Sequence, residues 1–225
     1  MGGGGPACPG GRDPGRSRGS GPVIYGLPVS GAALPPIPIL LAFPRARAGL
    51  DPLLLALLPH LEAVGLGVRH LALDAAATDA ELQARLAAAV ATEGVAFLGG
   101  FSLGARIAVR YAAGLTGSGP SGLVCFGYPF VRPGHPRPTD GLDVLRTLRT
   151  PTLIVQGTRD PHGDRTQVPT FGPLPSCARL RWLQDGNHRL APRVRSGHTL
   201  AEHLASAAGA TAAFVASTLE GADVH

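Results

Sequence analysis

The sequence predicts an α/β fold in which a mostly parallel sheet is covered by helices on both faces. Short apolar runs alternate along the chain with longer helical patterns, which is typical of parallel strands joined by helices. In the middle of the chain, one apolar run leads directly into the glycine-rich sequence from Gly99 to Gly104, and a helical pattern follows it. At 225 residues, the chain is long enough for one sizeable core.

The predicted elements follow one another in a regular order. Apolar runs of strand length predict buried strands, and these lie at residues 37–43, 67–73, 95–98, 122–126, 152–156 and 180–183. Helical patterns predict helices at residues 51–64, from residue 78, at residues 105–113 and from residue 199 to the C-terminal region. The helices that start at Thr78 and Thr199 open with a capping-box pattern, a threonine followed three residues later by a glutamate.

The N-terminal segment differs in composition from the rest of the chain. Residues 1–21 consist mainly of Gly, Pro, Arg and Ser, and so few apolar groups cannot offset the entropy of ordering the chain. We therefore expect a disordered tail at residues 1–21 and one domain at residues 22–225. The connection from Val131 to Leu148 is too short for a large lid domain.

Charge and composition disfavour several classes of partner. The formal net charge is +5, and all twenty basic residues are arginines scattered along the chain, without the interleaved aromatic residues of a single-strand binder. No apolar stretch reaches the roughly 20 residues that a membrane span requires. The three cysteines form no CxxC or Cys/His pattern, so neither a disulfide framework nor a metal site is indicated. We expect a cytoplasmic protein that binds neither nucleic acid nor membrane.

Gly100 to Gly104 form a G-x-S-x-G motif with Ser102 at its centre. Small residues are needed there because the serine lies on a sharp turn between a strand and a helix, and bulk at either glycine would clash. The turn exposes the hydroxyl beyond the carboxyl edge of the sheet, and the backbone N–H of Leu103 faces the position of an oxyanion. A glycine-rich turn in a nucleotide-binding domain is the alternative interpretation.

A serine nucleophile needs a base, and the base needs a carboxylate to orient it. Asp160 follows the strand at residues 152–156, and His188 lies in the loop after the next strand. The order Ser102, Asp160, His188 is the chain order of serine hydrolases with a nucleophile turn of this kind. Asp164 is the nearest alternative acid. His198 and His203 are the weaker candidates for the base.

The region from Gly99 to about Val215 contains GGFSLGARIA, GLVCFGYPF, LRTPTLIVQGTRDPHG and LQDGNHRL. It resembles the α/β-hydrolase-like family of testis-expressed protein 30 and NSL-complex subunit 3, with its bacterial dienelactone-hydrolase-like members. This resemblance implies an α/β-hydrolase fold without a large cap domain. By position, it also implies a catalytic triad of Ser102, Asp160 and His188.

One loop departs from the pattern of that family. Its members usually follow the first core strand with a His-Gly-Ala-Gly-like loop that helps to build the oxyanion hole, whereas Phe43 to Gly49 read FPRARAG here. Pro44 has no N–H to donate. The amide of Phe43 or Arg45 is therefore expected to replace the missing donor, and a hole that lacks one donor is expected to lose on the order of 10²–10³ in turnover.

The leading prediction is a serine hydrolase that acts through an acyl-enzyme on a small ester, thioester or lactone and needs no cofactor. The alternative is a catalytically weak or silent α/β-hydrolase-like scaffold that binds a protein partner, which the altered loop keeps open. A nucleotide-binding Rossmann domain ranks last, because no G-x-G-x-x-G sequence follows the first strand.

Overall fold

The computed structural model describes residues 35–47, 49–135 and 137–222. In this part of the chain, parallel strands alternate with α-helices. The strands are β1 Ile37–Pro44, β2 Leu66–Leu73, β3 Phe97–Phe101, β4 Gly122–Phe126, β5 Thr152–Gly157 and β6 Ala178–Leu183, and the helices are α1 Pro52–Ala63, α2 Asp79–Glu93, α3 Leu103–Ala113, α4 Asp140–Thr147 and α5 Leu200–Ala222. The predicted tail and the predicted start of the domain at residue 22 lie outside the described residues.

The six strands form one sheet in the order β2-β1-β3-β4-β5-β6, and every neighbouring pair is parallel. The predicted α/β class is therefore confirmed. Because all strands run the same way, their carboxyl ends meet along one edge of the sheet, where the loops after β3, β5 and β6 lie close together. The connection between β4 and β5 holds one α-helix of eight residues, α4, and no inserted domain among the residues described there.

The sheet is buried on both faces, as a parallel sheet with helical connections requires. Successive side chains of a strand point to opposite faces, and β1 shows this alternation: Ile39 and Leu41 pack in one core cluster, whereas Leu40 and Ala42 pack in the other. Buried residues of α1 and α5 complete the first cluster, and those of α2, α3 and α4 complete the second. Helices therefore cover both faces, as predicted.

The helix starts follow the sequence patterns. The Asp51 side chain accepts a hydrogen bond from the Leu53 N–H at 2.8 Å and caps α1. Thr78 and Glu81 form the predicted capping box of α2. At the start of α5, Thr199 N–H donates to the Glu202 carboxylate at 2.7 Å, and Glu202 N–H donates to the Thr199 hydroxyl at 3.2 Å. No helix in the described residues combines the length and apolar character needed to cross a membrane.

Two elements differ from the sequence prediction. Strand β3 spans Phe97–Phe101 instead of residues 95–98, because its pairing with β4 continues through both glycines to Phe101. Helix α4 was not predicted. Its side chains Leu142 and Leu145 are buried, but three apolar residues in a helix of eight give too short a periodic pattern to stand out from a loop.

Candidate active site

Ser102 lies at the turn between β3 and α3. Its φ of 52° and ψ of −110° place it among the described non-glycine residues with positive φ, a conformation that costs of order 1–3 kcal/mol and that clusters at functional sites. The glycines on either side permit the turn because a Cβ on Gly100 would lie 2.0 Å from the Ala42 carbonyl oxygen, and one on Gly104 would lie 1.8 Å from it. The turn therefore packs directly on β1.

Ser102, His188 and Asp160 form a continuous hydrogen-bonded chain at the carboxyl edge of the sheet. His188 Nε2 lies 3.0 Å from Ser102 Oγ, and His188 Nδ1 lies 2.9 and 3.0 Å from the two carboxylate oxygens of Asp160. A carboxylate only accepts, so Nδ1 carries the proton and Nε2 is free to accept the serine proton. Asp160 is fully buried, whereas His188 is partly exposed.

A glutamine outside the predicted site holds Asp160 in place. Gln156, at the end of β5, is fully buried and donates from Nε2 to Asp160 Oδ2 at 2.8 Å. Its carbonyl oxygen accepts from the Tyr128 backbone N–H at 2.7 Å, so the amide is fixed at both ends. The backbone N–H of His162 donates to the other carboxylate oxygen at 2.8 Å. A polar residue in the apolar run of β5 was the available signal for Gln156.

The alternative candidates lie in other arrangements. The Asp164 carboxylate accepts hydrogen bonds from Thr166 and from the Gln167 N–H, so it caps its own turn. His203 is buried in α5, and its Nδ1 lies 2.7 Å from the Leu190 carbonyl oxygen. His198 stacks on His203, with ring centroids 5.5 Å apart. None of these three side chains contacts Ser102 in the described part of the chain, although His203 supports the loop that carries His188.

The loop after β6 is held closed by an ionic clamp. Asp185, with a φ of 61°, accepts hydrogen bonds from the backbone and side chain of Arg193, and its carboxylate lies 2.9 Å from Arg159 Nε. Because Asp185 and Arg193 lie on either side of His188 in sequence, the clamp closes the loop that presents the imidazole. The hydrogen bonds from Arg193 hold the pKa of the Asp185 carboxyl well below its usual range.

Replacing Asp185 with asparagine is expected to lower the urea midpoint of unfolding at neutral pH, because the clamp then loses its charge. The lowered pKa means that the carboxylate stabilises the folded state above the pKa of the unfolded chain, and that this contribution disappears on acidification. The difference in midpoint between the wild type and Asp185→Asn should therefore shrink as the pH falls below about 5. A difference that is constant with pH would contradict the clamp.

A second contact ties the histidine loop to the start of α1. The guanidinium of Arg189 binds the buried carboxylate of Asp51, with nitrogen–oxygen distances of 3.0 and 3.2 Å. The same guanidinium lies over the ring of Phe101, 5.3 Å from its centroid. Phe101 in turn contacts the His188 ring, with 4.8 Å between centroids. The loop is thus held on both sides of the imidazole, since Asp185 lies before His188 and Arg189 lies after it.

The predicted oxyanion donors differ in whether their N–H groups already have an acceptor. Leu103 is the first residue of α3, so its N–H has no acceptor within the helix, and no other described group accepts from it. Arg45 N–H, in contrast, donates to the Leu73 carbonyl oxygen at 2.7 Å. Ile37 N–H donates to Gly65 in the same way. Alternate amides of a strand point to the same neighbour, so the N–H of Phe43 also faces β2.

In this structure, therefore, neither the Phe43 amide nor the Arg45 amide is directed at Ser102 as a second oxyanion donor. Strand β1 lies between β2 and β3, and both amides point to β2, away from Ser102. Pro44 gives the physical reason. Its ring fixes its own φ near −65° and disfavours the helical region for Phe43, so the chain stays extended here, and its pairing with β2 continues through Arg45.

A cavity of about 580 Å³ lies beside the site, and its wall includes none of Ser102, Asp160 and His188. His162 forms part of its wall, and the His162 ring stacks on His188 with 4.1 Å between centroids. Its volume suits a small organic molecule. Another cavity, of about 420 Å³, is lined in part by Ser121 and Pro151, which precede β4 and β5, so it lies at the opposite edge of the sheet. In the described residues, no group of three or more His, Cys, Asp or Glu side chains could hold a metal ion.

A six-stranded parallel sheet, with a serine at a strand-to-helix turn and a histidine and a carboxylate in later loops, is the architecture of an α/β-hydrolase. Residues 67–216 match the alpha/beta hydrolase domain family, and the chain belongs to that family. A search of curated proteins gives no match.

Solved structures share the fold at low sequence identity. The esterase domain of a Rhodothermus marinus protein is 17% identical, with 84% of this chain and 89% of that chain covered and a TM-score of 0.59. Est1E from Butyrivibrio proteoclasticus is 13% identical, with 82% and 90% covered and a TM-score of 0.60. A putative hydrolase of the alpha/beta superfamily from Xanthomonas campestris pv. campestris is 22% identical, with 80% and 98% covered and a TM-score of 0.54.

Proposed function

We propose that this chain is a serine hydrolase that cleaves a small ester, thioester or lactone through an acyl-enzyme. The observation that carries the proposal is the chain of hydrogen bonds from Ser102 Oγ through His188 to the buried carboxylate of Asp160. A serine with a purely structural role rarely has a strained backbone and a hydroxyl hydrogen-bonded to an imidazole. Nucleophilic catalysis needs both features.

In the first half of the reaction, Ser102 Oγ attacks the carbonyl carbon of the substrate, and its proton passes to His188 Nε2. The imidazolium then carries a positive charge, which the carboxylate of Asp160 stabilises through Nδ1–H. The Leu103 N–H donates to the oxyanion. When the carbon–oxygen or carbon–sulfur bond to the leaving group breaks, His188 returns the proton to that group, and the acyl group remains on Ser102.

In the second half, a water molecule takes the place of the leaving group. His188 removes a proton from it, the hydroxyl oxygen attacks the acyl carbon, and the bond to Ser102 Oγ breaks as the proton returns to the serine. The products are an alcohol or thiol and a carboxylic acid, or a hydroxy acid from a lactone. All proton transfers use protein groups and water, so the proposed reaction needs no cofactor.

The proposal is tested by labelling with a fluorophosphonate probe, which reacts with activated serine hydroxyls. The wild type should take up one label, located on Ser102 by peptide mapping, and Ser102→Ala should take up none. Ser121→Ala is the matched control, because Ser121 lies at the opposite edge of the sheet. A folded wild-type protein that takes up no label at Ser102 would rule the proposal out.

Replacing Pro44 with glycine is expected to raise turnover on p-nitrophenyl acetate by up to about 10²-fold. This increase is close to the loss of turnover that the removal of one oxyanion donor causes. The glycine removes the φ restriction that keeps Arg45 paired with Leu73, so an amide of the loop can turn toward Ser102. Pro38→Gly, in the same strand, is the control for a general loosening of β1. Equal turnover of Pro44→Gly and the wild type would contradict this explanation of the loop.

A second candidate function is a scaffold that binds a protein partner and catalyses little or nothing. The hydrogen bond from the Arg45 amide to the Leu73 carbonyl oxygen favours the scaffold, because the oxyanion hole then lacks the donor that the loop after β1 would supply. A partner captured equally well by the wild type, Ser102→Ala and His188→Ala, together with an unlabelled Ser102, would support the scaffold. Labelling of Ser102 would support the hydrolase.

Several further expectations stay proposals. We propose that residues 22–225 form the hydrolase domain, that the chain is related to the family of testis-expressed protein 30 and NSL-complex subunit 3, and that it acts in the cytoplasm. We also propose that its partner is a small-molecule substrate and not a nucleic acid or a membrane. The scattered arginines support the last point, since they form no continuous basic stripe in the sequence.

A further inference from the structure

His162 contacts both the acid and the base of the site. Its backbone N–H donates to Asp160 Oδ1 at 2.8 Å. Its ring stacks on the His188 ring, with 4.1 Å between centroids and 33° between planes. The imidazole of His188 therefore has two ring neighbours, since Phe101 lies 4.8 Å away, centroid to centroid. The hydrogen bonds to Ser102 and Asp160 leave the His188 ring free to tilt about the line that joins their partners. The two ring contacts restrict that tilt.

The His162 ring is itself anchored. Its Nδ1 lies 3.2 Å from the carbonyl oxygen of Val131. A carbonyl oxygen only accepts, so Nδ1 carries the proton, and Nε2 of the neutral ring is unprotonated. Partial burial lowers the pKa of the His162 imidazole below its ordinary value, and the charge of His188 lowers it further. His162 is thus neutral at pH 7.

The charged surroundings of His162 also bear on its protonation. The groups that touch it are His188 and the carboxylate of Asp160. The charged and titratable groups that share its cavity are Arg106, Arg132, His135, Arg137 and Asp140. Two of these groups are paired, since Arg106 binds Asp79 and Asp140 binds Arg110. A positive charge on His162 would therefore lie near the Asp160 carboxylate and near the cavity arginines Arg132 and Arg137.

We propose that His162 is a positioning residue for His188: its neutral ring packs against the His188 imidazole and keeps it aligned between Ser102 Oγ and the Asp160 carboxylate. The inference rests on the proposed function, because alignment matters to a reaction only if His188 transfers a proton.

Three variants separate the features of this side chain. His162→Phe keeps an aromatic ring but removes both nitrogens, His162→Asn keeps a donor for the Val131 carbonyl but removes the ring, and His162→Ala removes both. His70→Phe is the matched control, because His70 is an exposed histidine on β2. Two measurements are made on each protein: the rate of fluorophosphonate labelling at Ser102 as a function of pH, and the low-field proton resonance of His188 Nδ1–H.

The ring contact predicts that His162→Ala and His162→Asn label about 10- to 100-fold more slowly than the wild type, because misalignment of a reacting group by a fraction of an ångström is costly. His162→Phe should label faster than either. The Nδ1–H resonance should stay sharp in His162→Phe and broaden in His162→Ala, and His70→Phe should match the wild type in both measurements.

Failure of this inference differs from failure of the proposed function. If His162→Ala labels at the wild-type rate and keeps a sharp Nδ1–H resonance, His162 does not position His188, although the hydrolase stands. If the wild type takes up no label, the hydrolase fails, and the resonance still decides whether His162 aligns the imidazole.

Discussion

Asp160→Asn should lower turnover by about 10⁴-fold while leaving the protein folded, because the amide favours the wrong tautomer of His188. Two donors already point at the carboxylate, the Gln156 side chain at Oδ2 and the His162 backbone N–H at Oδ1. An asparagine has one acceptor oxygen, so its NH₂ group must face one of these donors or donate to His188. A donation to Nδ1 would move the imidazole proton to Nε2, where it blocks abstraction of the serine proton.

The measurement is kcat for p-nitrophenyl acetate, with the urea midpoint of unfolding as the test of folding. Asp164→Asn is the matched control, because its carboxylate only caps the following turn and does not touch the three residues of the site. It should keep kcat within a few-fold of the wild type. If the activity of Asp160→Asn stays within tenfold of the wild type, the carboxylate does not orient His188 as the hydrogen bonds indicate.

Gly104→Ala should be the most destabilising small substitution of the nucleophile turn. The added Cβ would lie 1.8 Å from the Ala42 carbonyl oxygen and 2.5 Å from its carbonyl carbon. These atoms belong to the backbone of β1, so no side-chain rotation relieves the clash. Either α3 or β1 must move, and we expect a loss of more than about 3 kcal/mol in the free energy of unfolding.

Gly209→Ala is the matched control for this prediction. Gly209 lies in α5, and a Cβ there would meet nothing within 4 Å. The same substitution should therefore stabilise the protein by about 0.5–1 kcal/mol, because alanine is the better helix former. Urea unfolding of both variants measures the two effects. Equal stability of Gly104→Ala and the wild type would show that α3 and β1 are not in direct backbone contact at this turn.

Sequence patterns predicted most of the fold because its elements are long enough to show periodicity. The apolar run from Ile37 and the capping box at Thr78 each reflect local physics that the chain carries in a few consecutive residues. The order of Ser102, Asp160 and His188 was readable for a different reason. Each residue follows a strand, and parallel strands bring their carboxyl ends to one edge of the sheet.

Features that depend on backbone direction and on contacts between loops were not readable. The direction of the Arg45 amide depends on the residue at which the pairing of β1 with β2 ends. No single residue of the sequence predicts where that pairing ends. Gln156 and His162 were missed because their partners are distant in sequence or lie in a loop. Asp185 was read only as part of a turn, since its partner Arg193 lies across the histidine loop.

The proposed hydrolysis requires a covalent intermediate at Ser102, so the most direct measurement is mass spectrometry of the protein quenched in acid during turnover of p-nitrophenyl acetate. Because p-nitrophenolate is a good leaving group, acylation should be faster than deacylation, and the intermediate should accumulate. We expect one acetyl group on the intact protein, mapped to the peptide that contains Ser102 and absent from Ser102→Ala. Turnover by the wild type with no acetyl group on Ser102, or with the group on another residue, would contradict the proposal.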